Sequence, residues 1–434
     1  MLLLDALQPG FEAEFRRLLS MKRETDEDVN TTVAAVLADV RRRGNSAVIE
    51  YTARFDRLEL TPATLRVSAE EIEAAATSCD AALIEALSLA AARIRDFHSR
   101  QLPQGYQYTD AVGVRLGQRW TAVDAVGLYV PGGTAAYPSS VLMNAVPAKV
   151  AGVERLVMVV PSPGGKLNPL VLAAAKLAGV DEIYRIGGAQ AVGALAYGTD
   201  TIRPVDKIVG PGNAYVAAAK RQVFGTVGID MIAGPSEILV IADGDNDPAW
   251  IAADLLSQAE HDTAAQSILI TTDARFAKRV AEAVDAHLKT LPRAAIARES
   301  WDAHGAIIVV PTLDDAVPLA DRIAAEHLEL AVAEPDALAA RIRHAGAIFL
   351  GRHTPEAVGD YVGGPNHVLP TARSARFSSG LGVLDFMKRT TLLGCDPGSL
   401  GAIGPAAVAL AEAEGLGAHA LSVAIRLNMG RGRS

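Results

Sequence analysis

Short β-branched runs that alternate with Ala-rich segments constrain this sequence more than any other feature. From Val123 onward each run closes on a Gly/Pro turn: VGLYV runs into PGG, LVMVV into PSPGG, EIYRI into GGAQ and DKIV into GPGN. Strand, loop and helix units in succession predict βαβ crossovers, which build a parallel sheet with helices on both faces. Ligands of such sheets sit at the carboxyl ends of the strands, where these glycines lie.

A second alternating series starts at EILVIAD (237–243) and continues through QSILITT, GAIIVV, LELAV and GAIFL. It predicts a second α/β sheet. Before the first series, the apolar spacing from Asp26 to about Arg100 is helical. After Leu381 the strand signals stop, and two short helices broken at Gly415–Gly417 are predicted.

Composition narrows the class of protein. The chain has 434 residues, 50% hydrophobic and 21% charged, with a formal net charge of −9. This length supports several structural units with a sizeable core, and the apolar half argues against disorder. An acidic chain is a poor ligand for phosphate backbones, so we expect no nucleic-acid partner.

Cysteine usage and the N-terminal sequence point to an intracellular protein without thiolate metal sites. Cys79 and Cys395 cannot form a disulfide framework, and the sequence has no CxxC pair. Any metal must therefore use His, carboxylate or amide ligands. The start MLLLDALQPGFEAEF lacks a basic n-region, and the chain has no long uncharged apolar stretch. We therefore expect no signal peptide, no membrane span and a cytoplasmic location.

The glycine loops raise the question of a dinucleotide. No GxGxxG follows any predicted strand, so the Rossmann fingerprint is absent. The loops YVPGG (129–133), RIGGAQ (185–190) and GPGN (210–213) could bring backbone close to a phosphate at a helix start. They could equally be plain tight turns between strand and helix, and both interpretations stay open.

Two polar pairs are candidates for chemistry. Gln258 and His261 lie three residues apart on one predicted helix, which suits metal ligation as well as ordinary surface or capping roles. Glu326 and His327 close the helical pattern ADRIAAEH, where they could serve two proton-transfer steps. A histidine that merely favours a helix C-terminus is the simpler alternative.

Two further groups complete the candidates. Asp360 and His367 fall in VGDYVGGPNHVLPT, which is too rich in Gly and Pro to predict regular structure. Glu414 and His419 straddle the predicted helix break, where a cap and a solvated tail would also account for them. Together these side chains could make a nitrogen and oxygen site for zinc, although spacing alone does not show that they converge.

Eight ordered blocks of the sequence resemble the histidinol dehydrogenase family. They are LYVPGGTAAYPSSVLMNAVPAKVAGV, IGGAQAVGALAYGT, VGPGNAYVAAAKRQVFG, GPSEILVIAD, LLSQAEHD, AEHLEL, GDYVGGPNHVLPT and GLGAHALSVAIRLN. The resemblance runs from about Met21 to Asn428.

The resemblance implies an α/β fold with two Rossmann-like αβα domains, parallel sheets without the glycine fingerprint, and helical N- and C-terminal segments. It places an N-terminal segment at 1–24, a larger catalytic domain at 25–127 and 236–380, an inserted smaller domain at 128–235, and a dimer-swapped tail at 381–434. It further implies an NAD-dependent, zinc-containing homodimer that oxidises L-histidinol to L-histidine through L-histidinaldehyde.

The resemblance also implies roles for individual residues. Glu326 and His327 match the catalytic pair, with His327 as the base and Glu326 activating water. The implied zinc ligands are Gln258, His261, Asp360 and His419, and the implied cofactor contacts are Tyr129, Gln190 and Asn213. The implied substrate contacts are Ser236, Gln258, His261, His327, Asp360, His367, Glu414 and His419.

Two rival functions stay open. A paralogous zinc and NAD dehydrogenase could oxidise another amino alcohol or a diol, but the presence of Glu414 and His419 argues against it. A non-catalytic metal- or amino-acid-binding protein has no need for a base beside an acid, so Glu326 and His327 disfavour it. No cysteine lies in a matching block, which leaves an aldehyde-dehydrogenase type of thiohemiacetal without a nucleophile.

Overall fold

A computed structural model describes residues 1–21, 27–132, 137–232 and 234–428. Gly133, the last residue of the predicted YVPGG loop, lies outside them. The chain divides into a main unit, Met1–Gln101 with Asp124–Phe386, and a small unit that combines Leu102–Val123 with the chain after Phe386.

Strands and helices alternate along most of the described chain. The strands are β1 (Leu2–Asp5), β2 (Tyr106–Thr109), β3 (Arg115–Ala122), β4 (Ala125–Tyr129), β5 (Arg155–Val159), β6 (Glu182–Tyr184), β7 (Lys207–Val209), β8 (Gly228–Ile229), β9 (Glu237–Ala242), β10 (Gln266–Thr271), β11 (Ala306–Val309), β12 (His327–Ala331), β13 (Ala347–Leu350) and β14 (Met387–Gly394). The α-helices are α1 (Phe11–Ser20), α2 (Glu27–Arg43), α3 (Asn45–Asp56), α4 (Ala69–Ser78), α5 (Ala81–Ser99), α6 (Pro138–Ala151), α7 (Pro169–Ala178), α8 (Gly188–Tyr197), α9 (Ala214–Val223), α10 (Pro248–Ala259), α11 (Ala274–His287), α12 (Ala294–His304), α13 (Leu313–Ile323), α14 (Pro335–Ala339), α15 (Glu356–Tyr361), α16 (Pro397–Ala413) and α17 (Gly417–Ala424). Short 3₁₀ helices lie at Pro163–Gly165, Ser374–Arg376, Val383–Phe386 and Ile425–Leu427.

The second predicted series forms a six-stranded parallel sheet in the order β1-β11-β10-β9-β12-β13. Every residue of β9, β10 and β12 is buried, as expected for central strands covered by helices on both faces. Alternate residues of β9 face opposite layers: Leu239 packs with α13, whereas Val240 packs with α10 and α11. The prediction of this sheet from its apolar runs is confirmed.

The first predicted series forms a five-stranded parallel sheet in the order β6-β5-β4-β7-β8. The helices α2 and α3 share its core, where Leu37 and Val48 lie in one buried cluster with Leu195. The resemblance assigns 25–127 to the larger domain, and within that range the apolar faces of α2 and α3 pack on the five-stranded sheet. Helical spacing shows that a face is buried, but it does not identify the partner.

The small unit contains the antiparallel sheet β14-β3-β2 and the helices α16 and α17. β14 contradicts the prediction that strand structure ends after Leu381. Its residues MKRTTLLG are mostly exposed, so they lack the buried apolar run by which the other strands were predicted. The helix break at Gly415–Gly417 is confirmed, with α16 and α17 on either side.

The N-terminal segment 1–24 was predicted as helical, but it begins with a strand. β1 pairs in parallel with β11, and Leu4 joins Phe15 of α1 in the core of the six-stranded sheet. Four residues are too few to show a strand period in the sequence, so only pairing with β11 reveals the strand.

Among the described residues no single helix is both long and apolar enough to cross a membrane. The bent pair α4 and α5 reaches the required length and composition only when its two helices are counted together across a 111° bend.

Candidate active site

A cavity of about 700 Å³ lies within the main unit and is lined by both parallel sheets. The five-stranded sheet contributes loops that follow its strands, such as Pro211–Ala214 after β7. The six-stranded sheet contributes segments that precede its strands, such as Ser236 before β9 and Glu326 before β12. The cavity therefore meets the carboxyl ends of one sheet, as predicted, and the amino ends of the other.

Glu326 and His327 lie at the wall of this cavity, side by side at the head of β12. They do not close a helix as predicted, because α13 ends at Ile323, where Ala324 adopts a left-handed φ of 48°. Both side chains bind the backbone of one residue, Glu237. The Glu237 N–H donates to Glu326 Oε2 at 2.9 Å, and His327 Nδ1 contacts the Glu237 carbonyl at 3.0 Å.

The contact with the Glu237 carbonyl determines which nitrogen of the His327 ring carries a proton. A carbonyl oxygen can only accept, so Nδ1 carries a proton and Nε2 is the atom left for proton transfer. Nε2 is buried, has no hydrogen-bond partner among the described residues, and lies 3.7 Å from both Glu356 Oε1 and Asp360 Oδ1. Burial opposes protonation, but the carboxylates of Glu326, Asp360 and Glu356 outweigh it and raise the pKa of His327 to about 10.

Burial raises the pKa of Glu326 to about 8, an effect that the charge of His327 only partly offsets. Glu326 can therefore hold a proton near neutral pH. An acid with a raised pKa beside an imidazole is able to exchange protons with water or substrate in the cavity.

Asp360 also lines the cavity, but it lies on α15 and not in the irregular loop predicted for it. Burial opposes its ionisation, yet the rings of His327, His367 and His261 lower the pKa of its carboxyl. His367 does lie in a loop, where its Nδ1 contacts the Asp360 carbonyl at 3.0 Å and its Nε2 lies 3.4 Å from Ser140 Oγ.

Glu356 was missed by the sequence analysis. It lies one helical turn before Asp360, is buried, and accepts a hydrogen bond of 2.9 Å from Ser257 Oγ. Burial raises its pKa to about 7. The spacing of four residues between two acids is the signal that could have found it.

Gln258 and His261 lie at the end of α10, with His261 two residues beyond the last helical residue. Gln258 Nε2 lies 3.2 Å from His261 Nδ1, and His261 lines the cavity. Gln258 is completely buried, and its Oε1 has no hydrogen-bond partner among the described residues. An unpartnered buried oxygen beside an imidazole is a fitting donor for a cation.

Two sets of donors could hold a metal ion. Ligand atoms of His327, Glu356 and Asp360 all lie within 4.8 Å of one another. The predicted set shares only Asp360 with this group. Its member His419 lies in the small unit on α17, where it is exposed, as is Glu414 at the end of α16.

Of the three predicted cofactor contacts, one lines the cavity and two are buried away from its wall. Asn213 lines the cavity, and its Oδ1 caps α9 by accepting from Tyr215 N–H at 3.1 Å and Val216 N–H at 3.2 Å. Tyr129 and Gln190 are buried, and neither is among the described residues that line the cavity. The Gly188 N–H, at the start of α8, donates to the Tyr129 hydroxyl at 3.0 Å.

Comparisons with known proteins agree on one family. The model of the histidinol dehydrogenase family matches residues 19–427. The histidinol dehydrogenase of Rhodospirillum rubrum is 71% identical over 98% of this chain and 99% of its own length. That of Bradyrhizobium diazoefficiens is 68% identical over 98% of this chain and 99% of its own. The crystal structure of histidinol dehydrogenase from Elizabethkingia anophelis superposes with a TM-score of 0.94 at 38% identity, covering 99% of this chain and 98% of that one.

Behind His327 lies a second buried acid that the sequence analysis did not single out. Glu329 is on the same face of β12 as His327, because side chains alternate along a strand. This face packs toward α10, and Glu329 shares a hydrogen bond with Asp254 of that helix. Burial, together with the neighbouring charge of Asp254, raises the pKa of Glu329 to about 10.

The raised pKa of Glu329 predicts a pH-dependent effect on stability. The unfolded chain releases this proton near the ordinary value of 4.5, whereas the folded protein keeps it, so the wild type loses stability as pH rises above 4.5. The substitution Glu329→Gln keeps nearly the shape of the protonated side chain but removes the titratable carboxyl group. We expect its free energy of unfolding to exceed that of the wild type by an amount that grows between about pH 5 and pH 8, by at most about 1.4 kcal/mol per pH unit.

Urea unfolding at several pH values measures this difference. Glu85→Gln changes the same charge at an exposed position of α5 and should leave the pH dependence unchanged. A constant difference between Glu329→Gln and wild type across this range would show that Glu329 is ionised in the folded protein.

Proposed function

We propose a reaction from the premise that this chain belongs to the histidinol dehydrogenase family of oxidoreductases. It oxidises L-histidinol to L-histidine through L-histidinaldehyde, with NAD⁺ accepting a hydride in each of two steps. The observation that carries the proposal is the Glu326–His327 pair, an acid and a base fixed next to each other at the wall of the cavity. Histidine biosynthesis would supply the substrate, and the cytoplasmic pool of NAD⁺ would supply the oxidant.

His327 is the proposed base of both oxidations. Its Nε2 takes the proton of the alcohol while the hydride leaves the carbinol carbon. The acidic groups around the ring favour its protonated form and so oppose its action as a base. A cation held by Asp360 would weaken the influence of that carboxylate and bring the pKa of His327 closer to its ordinary value.

Glu326 is the proposed group that activates water between the two oxidations. Its raised pKa lets it take and return a proton as water adds to the aldehyde. The resulting hydrate gives up the second hydride, again with proton transfer, and leaves as a carboxylate. Each histidinol therefore consumes one water and produces two NADH.

Zinc is the proposed metal, held by Gln258, His261 and Asp360 together with His419 of the partner subunit. The unpartnered Oε1 of Gln258 and the cavity-lining ring of His261 support this set. When bound, zinc would hold nitrogen atoms of the substrate and so orient its carbinol carbon. Ser236 and His367, which also line the cavity, are proposed to contact the substrate, with Glu414 as a further contact.

NAD⁺ is proposed to bind at the carboxyl ends of the five-stranded sheet. Asn213 lines the cavity at the start of α9, and the loop before α8 places the Gly188 N–H against Tyr129. Helix starts of this kind favour phosphate groups because the positive end of the helix dipole attracts anions. Gln190, in the first turn of α8, is proposed as a further contact to NAD⁺.

A homodimer is part of the proposal, supported by the surface of the small unit. Leu393 of β14 is 72% exposed and Leu410 of α16 is 65% exposed, and Ile425 is exposed as well. The 17-residue helix α16 is largely apolar, yet most of it is not buried. Apolar surfaces of this extent typically mark a protein interface. A second copy that covers this surface would carry Glu414 and His419 with it.

The first prediction of the proposed function concerns the reaction itself. L-Histidinol with excess NAD⁺ should yield two NADH and one L-histidine per substrate, and a chelator should abolish turnover until zinc is added back. NADH absorbance and product chromatography measure the outcome. Simple diols and other amino alcohols, assayed in parallel, test the rival substrates; oxidation of these without oxidation of histidinol would overturn the proposal.

The second prediction separates the base from a metal ligand. His327→Asn should lower kcat about 10²- to 10⁴-fold, the usual contribution of a positioned base, while bound zinc stays unchanged. Elemental analysis measures the zinc. Exposed His353 provides the control, since His353→Asn changes the same residue type outside the cavity. Loss of zinc from His327→Asn would instead favour the set His327, Glu356 and Asp360 as the metal site.

The third prediction concerns sharing between subunits. In a heterodimer of His327→Asn with His419→Ala, a crossed tail places both defects in one site and none in the other. Verified heterodimers should therefore recover about half of the wild-type activity, although each parent homodimer is inactive. Heterodimers as inactive as their parents would show that each tail serves its own subunit.

A further inference from the structure

A buried ion pair lies beside the loop that follows β7, away from the catalytic pair. Lys220 of α9 and Asp230, which follows β8, contact each other through Nζ and Oδ1, and their side chains are only 3% and 1% exposed. Removing two charges from water costs several kcal/mol per ion, so such a pair needs further hydrogen bonds to be stable.

Both members of the pair bind the backbone of Gly210. Lys220 Nζ donates to the Gly210 carbonyl at 2.9 Å, and the Gly210 N–H donates to Asp230 Oδ2 at 2.8 Å. The ammonium group of Lys220 thus binds the carbonyl of Gly210, and the carboxylate of Asp230 binds its N–H. Gly210 has a φ of +108°, and a Cβ there would lie 2.2 Å from the Tyr129 carbonyl oxygen, so no other residue fits.

Gly210 begins the segment that carries the cavity wall. Pro211, Gly212 and Asn213 all line the cavity, and Asn213 then starts α9. Lys220 lies on this same helix, so the loop and its helix are tied together at Gly210. A shift of Gly210 would move the whole wall and leave two buried charges without their backbone partners.

We infer that the Lys220–Asp230 ion pair is a positioning device that holds the 210–213 loop in the conformation that binds the dinucleotide. The inference rests on the proposed function, in which NAD⁺ occupies this side of the cavity. Lys220 and Asp230 are positioning residues and do not touch the reacting atoms. A fixed loop spares the protein the entropy of ordering it when the dinucleotide binds.

The variant Lys220→Met with Asp230→Asn tests the inference without leaving a buried charge unpaired. The asparagine can still accept from the Gly210 N–H, but methionine cannot donate to its carbonyl. We expect the dissociation constant for NAD⁺, measured by calorimetry in the absence of histidinol, to rise about tenfold. This change corresponds to a loss of about 1.4 kcal/mol of binding free energy. Zinc content and kcat at saturating NAD⁺ should stay within about twofold of wild type.

The same sheet provides a matched control. Arg155 and Glu182 form a second ion pair, with side chains 14% and 12% exposed, at the amino ends of β5 and β6. Arg155→Met with Glu182→Gln should lower the thermal midpoint yet leave NAD⁺ affinity unchanged. An equal loss of NAD⁺ affinity in both double variants would reduce the Lys220–Asp230 pair to general stability and overturn the inference.

A milder variant covers the case in which the double variant does not fold. Lys220→Gln with Asp230→Asn also removes both charges together, but it keeps a donor for the Gly210 carbonyl and an acceptor for the Gly210 N–H, and we expect about a threefold weaker NAD⁺ affinity. Unchanged affinity in this variant, and in Lys220→Met with Asp230→Asn if that protein folds, overturns the inference but leaves the proposed oxidation of histidinol untouched. NAD⁺ binding that weakens as expected in a protein that does not oxidise histidinol would instead refute the proposed function and support the positioning role.

Discussion

The site depends on the two hydrogen bonds that Glu237 makes with Glu326 and His327. Glu237 starts a central strand of the six-stranded sheet, so its backbone is fixed by the parallel pairing of β9 with β10 and β12. Because its N–H and its carbonyl bind the two side chains, rotation of either one would leave a buried backbone group unpaired. The rigidity of the sheet is thereby passed to the proposed acid and base, and it also selects the tautomer of His327.

The neighbouring strand β12, which begins at His327, buries polar side chains that the fold does not require. Three residues of β12, His327, Glu329 and Ala331, face α10, and only Ala331 joins the apolar cluster there. Aliphatic side chains at all three positions would bury more apolar surface. An acid in such a position loses hydration, which is why burial raises the pKa of Glu329. Local departures from good packing of this kind are typical of functional sites.

The sequence predicted the parallel sheets well because their central strands are buried on both faces and therefore read as continuous apolar runs. β1 and β14 lack that signal: one is four residues long, and the other is mostly exposed and finds its partner in β3, far away in the sequence. The apolar face of α2 was equally visible, but its packing against α8 depends on long-range contacts that no local period encodes.

The candidate site was predictable in part for the same reason. Glu326, His327 and Asp360 were singled out as polar residues next to apolar runs or glycine turns, but only the resemblance joined them into one site. Local rules misplaced them, since they assigned the pair to a helix end and Asp360 to a loop. Glu356 escaped notice because its four-residue spacing from Asp360 indicates only that the two acids share a helix face, and nothing in the local sequence shows that tertiary packing buries that face.

The two walls of the cavity are fixed by similar means at opposite ends of their sheets. At the amino end of β9 the backbone of Glu237 is held by an acid and an imidazole, and beyond the carboxyl end of β7 the backbone of Gly210 is held by an acid and an ammonium group. The proposed hydride transfer needs its two carbon atoms within about 3–3.5 Å, so both walls would have to hold their ligands accurately. Because each wall is anchored to its own sheet, neither has to rely on the other for its geometry. The glycine at position 210 follows from this arrangement: the loop has to pass so close to the end of β4 that no side chain fits, and the charged pair replaces the rigidity that a glycine cannot supply.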